Sequence, residues 1–196
     1  MHAQEFVSFL ANVLGPYVQE DELVSIDRYL AAAGLREKAQ GRNYPDLKLT
    51  EALRILIGVM AARNPAQAAK DVSDYQRFRL LAHGIHTEKG DAAALKSYIG
   101  LSSEELEELE LLEVLRRIVK HLILVPDLSG DLWSCSVQLV VFLDGPVEIF
   151  VGGELFRGRI QFTGLMDYIP HGGGFQRTSV IGKHELVQIG KNVTLD

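Results

Sequence analysis

The hydrophobic pattern of this chain changes period near Pro126, and no other feature constrains the fold as strongly. Before that point apolar residues recur at three- and four-residue spacing, as in helices that bury one face. After it, short runs rich in valine, isoleucine and phenylalanine alternate with tight-turn residues, as in half-buried strands. Helices first and strands afterwards predict an α+β protein with a helical N-terminal half and an antiparallel β-rich C-terminal half. The 196 residues, 47% of them hydrophobic, suffice for one compact domain or two small ones. The pattern divides into a helical unit at 1–82, linking helices at 83–125 and a β-rich unit at 126–196.

Local signals place the elements. Phe6, Val7, Phe9, Leu10, Val13 and Leu14 give a first helix over 3–14, stopped at Gly15-Pro16. Leu23, Val24, Ile26, Tyr29, Leu30 and Ala33 give a second from Asp21, with acids at its start and Gly34 at its end. Arg36 to Lys48 reads as a loop or small wing. A helix from about Thr50 to Met60 is apolar on most sides and belongs in the core, and Pro65 opens another from Ala66 to about Leu81. His83 to Gly90 reads as a loop and Ala92 to Tyr98 as a short helix. Ser102 and Ser103 with Glu105 form a capping box for one charged helix running to Leu122. Strands follow at Val137–Leu143, Val147–Val151 and Glu154–Phe162, turned by Asp144-Gly145-Pro146 and Gly152-Gly153. Gly164 to Gly174 is loop, Arg177 to Ile181 a strand and Lys183 to Asn192 a last helix.

Charge narrows the candidate partners. The chain carries -6 overall, which argues against indiscriminate coating of nucleic acid. Residues 24–82 nevertheless hold ten basic against six acidic side chains. Such a basic island suits a localised phosphate-binding face, although a mixed solvated surface reads the same way. No apolar run is long enough to cross a bilayer and the N-terminus lacks a basic leader, so a cytoplasmic protein is expected. The single cysteine, Cys135, allows neither an internal disulfide nor a zinc cluster, and is expected as a small buried side chain.

The stretch from Glu20 to Met60 has the layout of a helix-turn-helix-like unit: helix, basic turn, helix. In such a unit exposed side chains of the second helix reach base edges while its flanks hold phosphates. The candidates are Ser25 and Arg28 on the helix, with Arg36, Lys38, Arg42 and Lys48 behind it. Arg28 is the best suited to a guanine edge. Glu20, Asp21, Glu22 and Asp27 would repel the same phosphates, so a plain helical hairpin without ligand is the competing reading. Arg28, Tyr29, Gly34, Leu35, Arg42 and Tyr44 give Phe6 to Met60 a pattern that resembles the DNA-binding part of MerR-type winged helices. In these proteins an arginine-tyrosine pair ends the recognition helix and a basic wing with an aromatic follows. More loosely, the whole chain resembles uncharacterised phage and prophage proteins of alphaproteobacteria. The likeness implies contact with double-stranded DNA. It carries over no effector or metal sensing, because the long coiled coil with effector-binding cysteines is missing, the second helix is acidic and the C-terminal half is β-rich.

Enzyme signals are weak. His83 and His86 are three apart, but His121, His171 and His184 are scattered, and no carboxylate completes a metal site. Gly172-Gly173-Gly174 lacks the Lys-Ser/Thr of a phosphate loop, Glu154 and Asp167 form no recognisable acid/base pair, and no nucleophile elbow occurs. The sequence therefore predicts a non-enzymatic, cofactor-free transcriptional regulator. It would dimerise through the Leu106–Leu122 helix or the sheet. The alternative is a protein-binding module or inhibitor acting through the acidic Glu104–Glu113 surface.

Overall fold

The computed structural model describes residues 1–15, 18–39, 44–125, 136–164 and 178–196. Its first helix, α1 (Ala3–Leu14), begins at a reciprocal cap. The His2 ring accepts from the Glu5 N–H at 3.4 Å, and the Glu5 carboxylate accepts from the His2 N–H at 3.1 Å. Helix α2 (Glu20–Ala32) buries Leu23, Ile26 and Leu30 and ends where Gly34 takes φ +74°, which lets the Leu35 N–H reach back to the Leu30 carbonyl at 3.0 Å.

Helix α3 (Leu49–Ala61) buries eleven of its thirteen residues and is the axis of the helical layer. It packs against α2, α4 (Ala68–Tyr75) and α7 (Leu111–Leu124). Gly58 makes the crossing close, since a Cβ there would sit 2.9 Å from Ile26 Cγ2 and 3.3 Å from Val72 Cγ2. Each fully buried leucine or isoleucine of this helix contributes about 2 kcal/mol of burial free energy.

The sheet is antiparallel and five-stranded, in the order β1-β4-β3-β2-β5: β1 (Arg79–Lys89), β2 (Ser136–Phe142), β3 (Val147–Gly152), β4 (Arg157–Thr163) and β5 (Thr178–Gly182). Helices α5 (Leu95–Ile99) and α6 (Ser103–Glu108) follow β1, and α8 (Lys183–Lys191) follows β5. Period-two alternation sends Val137, Leu139, Val141, Val147, Ile149, Val151, Ile160 and Phe162 to the face that meets the helices. Among the described residues one cluster of buried side chains runs from Phe6 to Ile189, through helices and strands alike. The protein is thus α+β, and no described helix is long and apolar enough to cross a membrane.

Three expectations are corrected. The helix opened by Pro65 ends at Tyr75 rather than near Leu81. The stretch read as the end of that helix and a loop is β1, an edge strand paired with β4. It is irregular: Leu80 faces Phe162 and Ile85 faces Ile160, so four residues bulge opposite Gln161, with His83 at φ 60°. The capping box at Ser102 is present, with the Glu105 N–H donating to Ser102 Oγ at 3.3 Å, but the long helix is two. It breaks at Leu109-Glu110 because the Leu111 and Leu112 N–H groups donate to the carbonyls of Phe78 (2.8 Å) and Gln76 (3.1 Å). Leu106, Leu115, Ile118 and Val119 from these two helices are buried in the chain's own core. Cys135, Asp167, His171 and the glycines 172–174 lie outside the described residues, as does most of the 164–174 loop.

Candidate nucleic-acid interface

The segment after α2 is tied down by groups that come mainly from α3. Glu51, only 7% exposed, accepts from the Glu37 N–H through Oε1 at 2.6 Å and from the Lys48 N–H through Oε2 at 3.0 Å. One carboxylate therefore holds both ends of the segment that carries the candidate cations. Arg54 donates from Nη1 to the Leu35 carbonyl at 2.9 Å and from Nε to Gln76 at 3.0 Å. Further along, the Leu47 N–H donates to the Met1 carbonyl at 2.9 Å, and Leu47 and Leu49 bracket Thr194 with bonds of 3.0 and 2.8 Å. Within the segment expected as a loop or small wing, residues 46–48 are thus a short extended piece, bridged at Asp46 to His2 and at Lys48 to Thr194.

On this frame the six candidates take different roles. Arg28 is exposed on the outer face of α2. Lys38 is exposed beyond the helix end. Arg36 is not free: its Nη2 donates to Asp27 Oδ2 at 2.8 Å, its Nε lies 2.5 Å from Oδ1, and the two side chains are 11% and 15% exposed. Burial pushes the Asp27 carboxyl above its ordinary range, and the Arg36 charge and hydrogen bond only partly offset that. Arg36 is therefore a fastening between α2 and the following segment. Ser25 turns its hydroxyl back to the Asp21 carbonyl at 2.9 Å. Lys48 stands 3.8 Å from Glu37 with both side chains about half exposed, an arrangement of little energetic weight. Arg42 lies outside the described residues.

Arg28, Arg36 and Lys38 line one groove of about 550 Å³ together with His2, Val24, Tyr44 and Pro45. The Tyr44 ring, 55% exposed, leans on His2 with centroids 5.4 Å apart. The basic island does not form a single face. Arg63, Lys70 and Arg77 line a second groove of about 730 Å³ beside the β2–β3 turn, where Asp71, Asp74 and Asp144 offset their charge and Arg63 pairs with Asp144.

The histidine pair His83 and His86 sits on the edge strand, with His86 Nε2 3.1 Å from Gln161 Oε1. Among the described residues no three histidine, cysteine or acidic side chains converge as a metal site. Of the glutamates in 104–113, Glu105 pairs with Arg117, Glu110 with Arg79, and Glu113 with Arg116 and Arg117. Glu104, Glu107 and Glu108 stay exposed outside any ion pair among the described residues. No family model, curated protein or solved structure matches the chain.

Residue type points to the exposed cations but not to Glu51 and Arg54, which hold the segment behind α2, or to Asp27, which lines the groove. Glu51 had a readable signal, since it stands three residues after Lys48 where a capping carboxylate closes on the start of a helix. Asp27 and Arg36 had none, because their meeting depends on how the chain turns back after Gly34.

Proposed function

We propose that the chain is a cytoplasmic, sequence-specific DNA-binding regulator that meets duplex DNA with the C-terminal half of α2 and the segment behind it. The observation that supports this is the shared groove, with exposed Arg28 on its helical wall and exposed Lys38 on the other. Helix geometry sets the polarity of the contact. Glu20 lies eight residues before Arg28, roughly 12 Å along the axis, which is about one Debye length at ordinary ionic strength. The acidic N-terminal turn is thereby kept off phosphates only if the C-terminal half approaches them. Arg28 is the base-reading residue in this arrangement, Lys38 and Arg42 hold phosphates, and Arg36 fixes the segment. A homodimer places two such faces on paired half-sites. Its contact falls to the sheet, because the α6–α7 apolar face is spent in the core.

The test is a pair of variants against a bound duplex. Arg28→Ala should cost about 1–3 kcal/mol and relax preference at one base position, whereas Lys38→Ala should weaken all sequences evenly and lower the salt slope by about one. Unchanged binding in both would sink the reading.

A second reading, a protein-binding module, draws on exposed Glu104, Glu107 and Glu108. Reversing those three charges should abolish capture of a basic partner while leaving the fold intact. Capture that survives the reversal counts against it.

A further inference from the structure

The β1–β4 edge of the sheet carries an electrostatic conflict that the fold does not resolve. Lys89 on β1 and Arg157 on β4 are register partners, so their side chains leave the same face of the sheet directly opposite each other. Like charges in that position destabilise a strand pair unless something negative lies between them. Two positions further along β4 the next arginine has an acid beside it, because Arg159 is 3.4 Å from the carboxylate of Glu148, which is 5% exposed. Lys89 and Arg157 have no such partner among the described residues. Both are exposed, and both line a cavity of about 420 Å³ with Ser136, Gly152, Gly153 and Glu154. The glycines are explained by packing: a Cβ on Gly153 would lie 2.5 Å from the Tyr98 ring and one on Gly152 would lie 2.7 Å from Ser136 Oγ. The cations are not explained that way.

We infer that Lys89 and Arg157 form a two-cation site for a phosphate-type oxyanion, one carrying at least two negative charges. The guanidinium grips two oxygens in a fork and the ammonium supplies a compact charge from the neighbouring strand. The cavity is of a size that admits a phosphorylated small molecule, not merely an ion. Glu154 borders it and would repel the ligand, which sets the affinity below what two cations alone give. The site shares no residue with the groove at α2, so it stands or falls independently of DNA reading there.

The experiment is isothermal titration of the full chain with inorganic pyrophosphate, and separately with a single-stranded oligonucleotide lacking terminal phosphates, in chloride at constant ionic strength. One pyrophosphate should bind per chain, Lys89→Gln and Arg157→Gln should each weaken it about tenfold, and Glu154→Gln should tighten it. Both cation variants should melt at or slightly above the parent temperature without ligand, because each removes a like-charge contact. That result separates lost binding from lost folding. Oligonucleotide binding that falls in the same two variants would assign the site to a phosphodiester chain, and pyrophosphate binding alone would assign it to a small phosphorylated ligand. Absence of binding by both probes, or binding indifferent to both cation variants, would overturn the inference.

Discussion

Replacing Glu51 tests how the candidate interface is held. In Glu51→Ala the N–H groups of Glu37 and Lys48 lose their shared acceptor, at 2.6 and 3.0 Å in the parent, in a place where the acceptor itself is 7% exposed. A lost hydrogen bond to a charged group costs about 1.5–3 kcal/mol, so two would remove roughly 3–6 kcal/mol if no water entered. Glu37 and Lys48 are exposed residues whose backbone can take up water in part, which brings the expected loss to about 3 kcal/mol. With a urea slope of about 2 kcal/mol per molar, the unfolding midpoint should fall by about 1.5 M. Glu51→Gln keeps the shape but offers one acceptor oxygen and turns an NH₂ toward the second donor, so about half of that loss is expected. Limited proteolysis should show the 36–48 stretch opening first in both variants. A midpoint shift under about 0.3 M for Glu51→Ala, or a glutamine variant as unstable as the alanine, would refute the two-ended clasp.

Other expectations concern charge and backbone. The Glu113 carboxyl is held down from 4.5 to about 2, first by the Arg116 hydrogen bonds and then by Arg117. Because the folded state favours its charged form, the stabilisation is complete above pH 4.5 and is lost as pH falls toward about 2. The difference in denaturant midpoint between the parent and Glu113→Gln should shrink across that window, and a difference constant down to acid pH would contradict the ion pair. Arg36→Ala strands Asp27 where its side chain is 15% exposed and should cost about 2 kcal/mol, against under about 0.5 for Arg28→Ala; equal thermal shifts would argue against the fastening role. Gly90 takes φ +78°, and a Cβ there would lie 1.9 Å from the Leu155 carbonyl oxygen. Gly90→Ala should therefore lose at least about 2 kcal/mol by calorimetry, and a neutral result would contradict the close approach of Leu155 to this turn.

Much of the fold is legible because local rules and burial agree. The helix at 3–14, the buried helix near Thr50–Met60 and the strands on either side of Asp144-Gly145 follow from spacing and turn residues alone. Strand β1 is not legible. Its bulge destroys the period-two pattern, and its exposed histidines, threonine and lysine read as loop although they are what keeps an edge strand from pairing with other chains. The break at Leu109-Glu110 escapes for a different reason: helix periodicity runs on through it, and only tertiary bonds to Phe78 and Gln76 end one helix and start the next. Around the groove, residue type alone does not separate Arg28 and Lys38, which the fold leaves exposed, from Arg36, which it places against Asp27, because a cation's availability depends on what the fold sets beside it.

The central proposal is best tested by fluorescence anisotropy of the purified chain titrated with a pool of duplex fragments from its source genome over a range of salt. Binding should concentrate on a few fragments, with log affinity falling linearly in log salt, and Arg28→Ala should lose the fragment preference. Flat anisotropy at low salt, or uniform weak binding that Arg28→Ala leaves unchanged, would contradict the proposal.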